Sequence, residues 1–181
     1  NSAEGEDALL LWMPDHEVVF TGDFYGCLYP MVPNLYTVRG EKLRDPIGYV
    51  NALDRLIGFE PAAILPAHFD PILGKAYLHK SLTVMRDGVQ YVYDETVAGM
   101  NAGKSVWELM ETIKLPPSLE ITQGHGKVSW NVRAIWELLA GWFYYEDVAD
   151  LYAVPAKAVY PELVDLVGGT DRIVGRAETL Y

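Results

Sequence analysis

The stretch Val-Val-Phe-Thr-Gly-Asp, residues 18–23, contains the pattern on which the fold assignment depends. Three apolar residues lead into Thr-Gly and a carboxylate, so Asp23 lies just past the end of a predicted buried strand. Upstream, Ala8 to Met13 is apolar and residues 14–17 are turn-like, which together predicts a β-hairpin. Because loops at strand ends often carry the chemistry of a fold, Asp23 is a candidate functional residue.

A helix and a further strand are predicted next. Asp45-Pro46 supplies an N-cap and a first-turn proline, and apolar residues then recur at helical spacing as far as Gly58. The apolar run Ala62 to Leu65 predicts a short buried strand, and His68 follows it closely. Strand, loop, helix and strand in this order, through Gly74, are typical of an α/β fold.

Beyond Gly74 the strand signals end and helical periodicity continues. Lys75 to Ala102 predicts one long helix, and Ser105-Val106-Trp107-Glu108 is a capping-box motif that predicts the start of a shorter one. Ser129 is expected to cap a further helix, and a short helix is expected from Pro161. The predicted fold class is therefore α/β followed by all-α.

Composition and charge exclude several classes of protein. The 181 residues are 50% hydrophobic, which is enough for a sizeable core. The formal net charge of -11 argues against nucleic-acid binding, because phosphate recognition needs clustered Lys and Arg. No apolar run is long enough for a membrane span. The single cysteine excludes an internal disulfide, and the compartment stays open between cytoplasm, periplasm and secretion.

Three residues are candidates for metal binding: Glu4, Asp23 and His68. Carboxylate oxygens and imidazole nitrogens are common zinc ligands, but a site requires them to converge on one ion. Each residue also has an explanation that needs no metal. Glu4 can be a surface residue, Asp23 a turn residue and His68 a solvated histidine. The spacing alone does not show whether they converge.

The order of these features resembles the second half of the metallo-β-lactamase fold. The shared pattern is an apolar hairpin, Thr21-Gly22-Asp23, a helix, an apolar strand and Pro66-Ala67-His68. In that family the Asp bridges two metal ions and the His binds one of them. The resemblance therefore implies that Asp23 and His68 are metal ligands, and a bridging carboxylate suits this role because each oxygen can hold one cation.

A narrower resemblance, to the alkylsulfatase branch of that fold, covers almost the whole chain. It implies that residues 1–74 are the C-terminal half of a catalytic domain and that residues 75–181 are a helical dimerisation domain, so a homodimer is expected. The stretches that carry the resemblance are Asn34–Gly40, Arg44-Asp45, Leu115–Leu119, Val128–Val132, Gly141–Phe143 and Leu166–Gly169.

The narrower resemblance also implies a site. Glu4 becomes a further zinc ligand, and Asn34 and Arg39 bind the sulfate, for which a planar guanidinium is well suited because it can donate to two oxygens. The alternative for Arg39 is a salt bridge to an acid such as Asp45. The implied activity is that of a binuclear zinc hydrolase, which cleaves an alkyl sulfate ester with a metal-activated water.

Two departures from the branch leave the substrate open. Sulfatase members usually have Glu where this chain has Asp23, and Trp130 occupies the place of a His thought to protonate the leaving oxygen, which an indole cannot do. His125 is the candidate that could donate this proton instead. Another ester, a lactone or a phosphoester is therefore the alternative substrate.

The chain also lacks the His-x-His-x-Asp-His motif that supplies most metal ligands in the first half of the fold. We expect a fragment that is inactive alone and that needs the N-terminal half of the same protein as its partner. A noncatalytic dimerisation module is the alternative from a different class.

Overall fold

A computed structural model describes residues 8–24, 29–37, 44–142, 144, 148–152 and 154–181. The chain divides into two compact units, Asn1–Tyr144 and Tyr145–Tyr181. The boundary near Gly74 falls within the first unit and stays a prediction. Glu4 and Arg39, two of the predicted site residues, lie outside the described residues.

Within the described residues, four strands form one sheet in the order β1-β2-β3-β4. The first pair is an antiparallel hairpin joined by a 3-10 turn, as predicted, whereas β2 and β3 are parallel and β3 and β4 are antiparallel. The strands are β1 (Leu11–Met13), β2 (Val18–Gly22), β3 (Ala63–Pro66) and β4 (Ile72–Leu73).

The parallel pairing follows from the helix α1 (Pro46–Phe59), which connects β2 to β3. Parallel neighbours require such a crossover, and a hairpin turn cannot supply it. As predicted, Asp45 caps the helix, because its Oδ1 accepts a hydrogen bond of 2.9 Å from the backbone N–H of Ile47. The buried side of α1, including Tyr49 and Leu53, packs in the core.

The helix α2 (Lys75–Asn101) confirms the predicted long helix and packs against α1. Its buried residues Leu78, Leu82 and Met85 share one hydrophobic core with Val19 and Ile64 of the sheet. One hydrophobic core of the first unit therefore lies between the sheet and the helices α1 and α2, and a second buried cluster includes Val92, Leu109 and Val132.

Two further helices complete the first unit: α3 (Val106–Thr112) and α4 (Val128–Ala140). Ser105 caps α3, because its Oγ accepts from the N–H of Glu108 at 3.2 Å. The prediction that Ser129 caps α4 is wrong, since the N-cap residue is Lys127. The side chain of Gln123 instead accepts from the N–H of Val128 at 3.0 Å.

The other face of the sheet is apolar and exposed. Leu11 and Phe20 are paired across β1 and β2, and both side chains are exposed, as is Leu73 of β4. Val19 of β2 and Ile64 of β3 point to the opposite face of the sheet and are fully buried against the helices. Alternation of this kind normally gives polar residues on a solvated face, so an apolar outer face is unusual.

The second unit contains the helices α5 (Tyr160–Leu166) and α6 (Thr170–Leu180), separated by two glycines with positive φ. The N–H of Gly169 donates to the carbonyl of Val164 at 2.8 Å, which ends α5 with a reversal that glycine adopts readily. Several apolar side chains of both helices are exposed, Leu166 and Leu180 among them. None of the helices in the described ranges is long and apolar enough to cross a membrane.

Candidate metal and anion site

Asp23 and His68 lie together at one edge of the sheet. Strand β2 ends at Gly22 and strand β3 ends at Pro66, and these two residues are paired in the parallel register. The N–H of Ala67 donates to the carbonyl of Gly22 at 3.0 Å, which holds the two following loops side by side. As a result, Nε2 of His68 is 3.1 Å from Oδ1 of Asp23.

This separation satisfies the distance condition for a shared metal ion. Two donors that each lie about 2.0–2.2 Å from one zinc ion are at most about 4.4 Å apart. The side chains are 59% and 43% exposed for His68 and Asp23, so further ligands can reach them. Oxygen and nitrogen donors of this kind suit a divalent cation.

The described residues supply two of the three predicted ligands. Among them, no group of three His, Cys, Asp or Glu side chains converges. Glu4, the third predicted ligand, lies outside the described ranges. The metal roles of Glu4, Asp23 and His68 therefore stay predictions, although the approach of the last two is part of the structure.

Asn34 lies in an irregular segment of residues 32–35 that is held by Arg44. The guanidinium of Arg44 donates to the carbonyl of Asn34 at 2.9 Å, and its backbone N–H donates to the carbonyl of Leu35 at 3.0 Å. Arg44 is buried, so these bonds fix the backbone of the segment. The predicted sulfate-binding role of Asn34 stays a prediction, as does that of Arg39, whose alternative salt bridge to Asp45 is also open.

The loop that carries His125 packs against the same segment. The N–H of Val32 donates to the carbonyl of Thr122 at 2.9 Å, and the N–H of Gly126 donates to the carbonyl of Val32 at 3.1 Å. A Cβ on Gly126 would lie 2.1 Å from the carbonyl oxygen of Pro33, so this close approach requires glycine. His125 is half-buried beside this contact, and its catalytic role stays a prediction.

A charged cluster on α4 was not predicted from the sequence. Nε of Arg133 donates to Oε1 of Glu137 at 2.9 Å, and the Glu137 side chain is almost fully buried. The hydroxyl of Tyr36 donates to the same oxygen at 3.2 Å, and the hydroxyl of Tyr144 also donates to it. The spacing of Arg133 and Glu137, one helical turn apart, was the available signal.

Three aromatic rings surround the Arg133 guanidinium. Its Cζ lies 4.9 Å from the ring centroid of Tyr36, 5.7 Å from that of Tyr144 and 5.8 Å from that of Trp107. Burial raises the pKa of Tyr144 to about 12, and the hydrogen bond to Glu137 acts in the same direction. At neutral pH the phenol of Tyr144 therefore stays protonated beside the Arg133–Glu137 pair.

Comparison with known proteins identifies relatives along the whole chain. The profile of the alkyl sulfatase dimerisation family matches residues 105–181. A linear primary-alkylsulfatase from Pseudomonas sp. is 34% identical over 99% of this chain and 34% of its own length. An alkyl/aryl-sulfatase from Saccharomyces cerevisiae is 28% identical over 97% of this chain and 28% of its own length.

A solved structure has the same fold. A double mutant of the sec-alkyl sulfatase PisA1 superposes with a TM-score of 0.82 and 22% identity, covering 98% of this chain and 29% of that chain. This chain thus spans about a third of the length of the relatives that it matches. The predicted order, α/β followed by all-α, is confirmed. Residues 105–181 belong to the alkyl sulfatase dimerisation family, and the chain as a whole is similar in sequence to alkylsulfatases.

Proposed function

We propose that this chain is part of a binuclear zinc-dependent hydrolase that cleaves an alkyl sulfate or a related ester with a metal-activated water. The observation that carries the proposal is the 3.1 Å approach of His68 Nε2 to Asp23 Oδ1 at the edge of two parallel strands. An exposed pair of this kind contributes only about 0–1 kcal/mol to the free energy of unfolding. A gain in stability therefore does not by itself explain why these two side chains lie together.

In this proposal the site residues of this chain have two roles, metal binding and substrate binding. Asp23 would bridge two zinc ions, and Glu4 and His68 would each complete the ligand set of one. When bound, zinc would lower the pKa of a coordinated water toward neutrality and so supply the nucleophile. Asn34 and Arg39 would bind and orient the anionic group of the substrate, which keeps the scissile bond in place.

The substrate class rests on the relatives and on Asn34 and Arg39. The relatives are an alkylsulfatase and an alkyl/aryl-sulfatase by name, which favours a sulfate ester. A different ester, a lactone or a phosphoester is the second candidate. Asp23 and Trp130 favour it, because the indole of Trp130 cannot deliver a proton to the leaving oxygen.

The exposed apolar sheet face supports the proposed partner. Uncovered apolar surface costs roughly 25 cal/mol per Å², so Leu11, Phe20 and Leu73 favour coverage by another layer. We propose that the N-terminal half of the same protein, with its His-x-His-x-Asp-His motif, covers this face and completes the ligand set. The match of residues 105–181 to a dimerisation family supports a homodimer.

The proposal is tested on the intact protein by metal analysis and by hydrolysis of decyl sulfate. Asp23→Ala and His68→Ala should each lower the zinc content and reduce kcat/KM by at least about 100-fold, since each removes a ligand. His16→Ala is the matched control, because His16 is an exposed histidine in the turn before β2. It should retain wild-type zinc and activity.

Two results would contradict the proposal. Full zinc content and activity in Asp23→Ala and His68→Ala would exclude them as ligands. An intact wild-type protein that dimerises but holds no metal would favour the noncatalytic module instead.

A further inference from the structure

We infer that helix α4 positions the Asn34 segment, so that the dimerisation family region contributes directly to anion affinity. The inference rests on the proposed function in one respect, namely that Asn34 binds the anionic group. Asn34 belongs to the first part of the chain, whereas α4 lies within residues 105–181. Contacts between them therefore connect the predicted binding segment to the dimerisation region.

The first contact is made by Asn131. Its Oδ1 accepts a hydrogen bond of 3.2 Å from the backbone N–H of Leu35, the residue after Asn34. Asn131 is buried in α4, and this bond is long-range in sequence. The helix thus fixes the peptide that follows Asn34.

The second contact is made by the Arg133–Glu137 ion pair. Glu137 accepts from the hydroxyl of Tyr36 at 3.2 Å, and Arg133 lies over the ring of the same tyrosine. Because Glu137 is buried and is itself bonded by Nε of Arg133, the acceptor is held in one place. Tyr36 is therefore fixed through both its ring and its hydroxyl.

These contacts matter because residues 32–35 form no regular secondary structure. Arg44 holds the carbonyls of Asn34 and Leu35, and α4 holds the N–H of Leu35 and the side chain of Tyr36. A binding side chain on an irregular segment gains affinity when its supporting contacts hold the segment in the bound conformation. Asn131, Arg133 and Glu137 are positioning residues in this sense, because they would act through the segment that carries Asn34.

A matched pair of variants separates positioning from general stability. Tyr36→Phe and Tyr144→Phe each remove one hydroxyl that donates to the same oxygen of Glu137 and keep the ring beside Arg133. Only Tyr36 lies next to the Asn34 segment. Both variants are made in the intact, metal-loaded protein. The thermal stability of Tyr144→Phe should fall at least as far as that of Tyr36→Phe, because the Tyr144 hydroxyl also accepts a hydrogen bond of 3.0 Å from Nε of Arg133.

The readouts are the affinity for inorganic sulfate, measured by calorimetry, and the kinetic constants for decyl sulfate. Tyr36→Phe should weaken sulfate binding by roughly three- to tenfold, the equivalent of one hydrogen bond. It should raise KM by a similar factor and leave kcat nearly unchanged. Tyr144→Phe should leave sulfate affinity and KM at wild-type values.

Equal sulfate affinities in the two variants would overturn the inference, and so would a wild-type protein that does not bind sulfate. If sulfate binds, Tyr36→Phe alone weakens it, and decyl sulfate is not cleaved, the proposed function fails while the positioning by α4 stands.

Discussion

Replacing Gly99 by alanine tests how closely α2 packs against α3. A Cβ at position 99 would lie 2.3 Å from Cδ2 and 3.1 Å from Cδ1 of Leu109. Leu109 is buried in α3, so an alanine at position 99 must displace a side chain of the core. Gly88 is the matched control in the same helix, because its added Cβ would meet Cδ2 of Leu115 at 3.7 Å, an ordinary contact.

The expected free energies follow from two terms. Alanine in place of glycine in a helix interior stabilises by about 0.5–1 kcal/mol, and this gain applies to both positions. Gly88→Ala should therefore increase the free energy of unfolding by that amount. At Gly99 the added methyl group overpacks the core, which costs about 1–3 kcal/mol. The propensity gain cancels between the variants, so Gly99→Ala should be less stable than Gly88→Ala by about 1–3 kcal/mol.

The free energies are measured by urea denaturation of the intact protein, followed by circular dichroism. A double variant with Gly99→Ala and Leu109→Ala should be more stable than the sum of its single changes predicts, because the smaller side chain removes the clash. If Gly99→Ala is as stable as Gly88→Ala, the two helices are not packed as described.

Three further predictions concern a cap, a phenol and the exposed sheet face. Asp45→Ala should lower the free energy of unfolding by about 1 kcal/mol in urea denaturation, because it removes the acceptor of the Ile47 N–H, and Asp45→Asn should restore most of it. Since the pKa of Tyr144 is raised to about 12 from an unfolded value of about 10, its stabilisation is complete below pH 10 and is lost as the pH rises toward 12. The melting temperature of Tyr144→Phe should accordingly fall less steeply than that of the wild type between pH 10 and 12. Leu73 is 66% exposed in this chain. If another layer covers the sheet face in the intact protein, Leu73→Ala should lower the free energy of unfolding by well over 1 kcal/mol, and otherwise by less. Urea denaturation measures the difference.

The helices were predictable where a local signal marks their start. Asp45 and Ser105 bond to backbone N–H groups two and three residues ahead, and such short-range caps can be recognised from the sequence. The start of α4 was predicted wrongly because Gln123, five residues before Val128, provides the acceptor through a folded loop. A cap of this kind depends on tertiary structure, which a sequence pattern does not contain.

Two other features, the strand β4 and the contact between Tyr36 and Glu137, could not be predicted from local sequence patterns. Strand β4 has two residues, too few to show alternation, and was not predicted. The link between Tyr36 and Glu137 joins residues 101 positions apart, so no spacing rule indicates it. The sequence indicated only that Glu137 needs a partner, because it lies on a helix with a broad apolar face and a buried carboxylate must be paired.

The Asp23–His68 pair shows which part of a site a sequence can determine. Each residue follows a predicted strand, and a helix joins the strands, which favours parallel neighbours that end at one edge. The 3.1 Å separation needs more than this, because the register of β2 and β3 is irregular. Phe20 pairs with Leu65, whereas Gly22 pairs with Pro66, so β2 contains one extra residue at the end that leads to Asp23. Such an irregularity redirects the side chains that follow it. The sequence therefore indicated the two residues, and the family resemblance implied that they meet, while their separation depends on a one-residue shift between neighbouring strands.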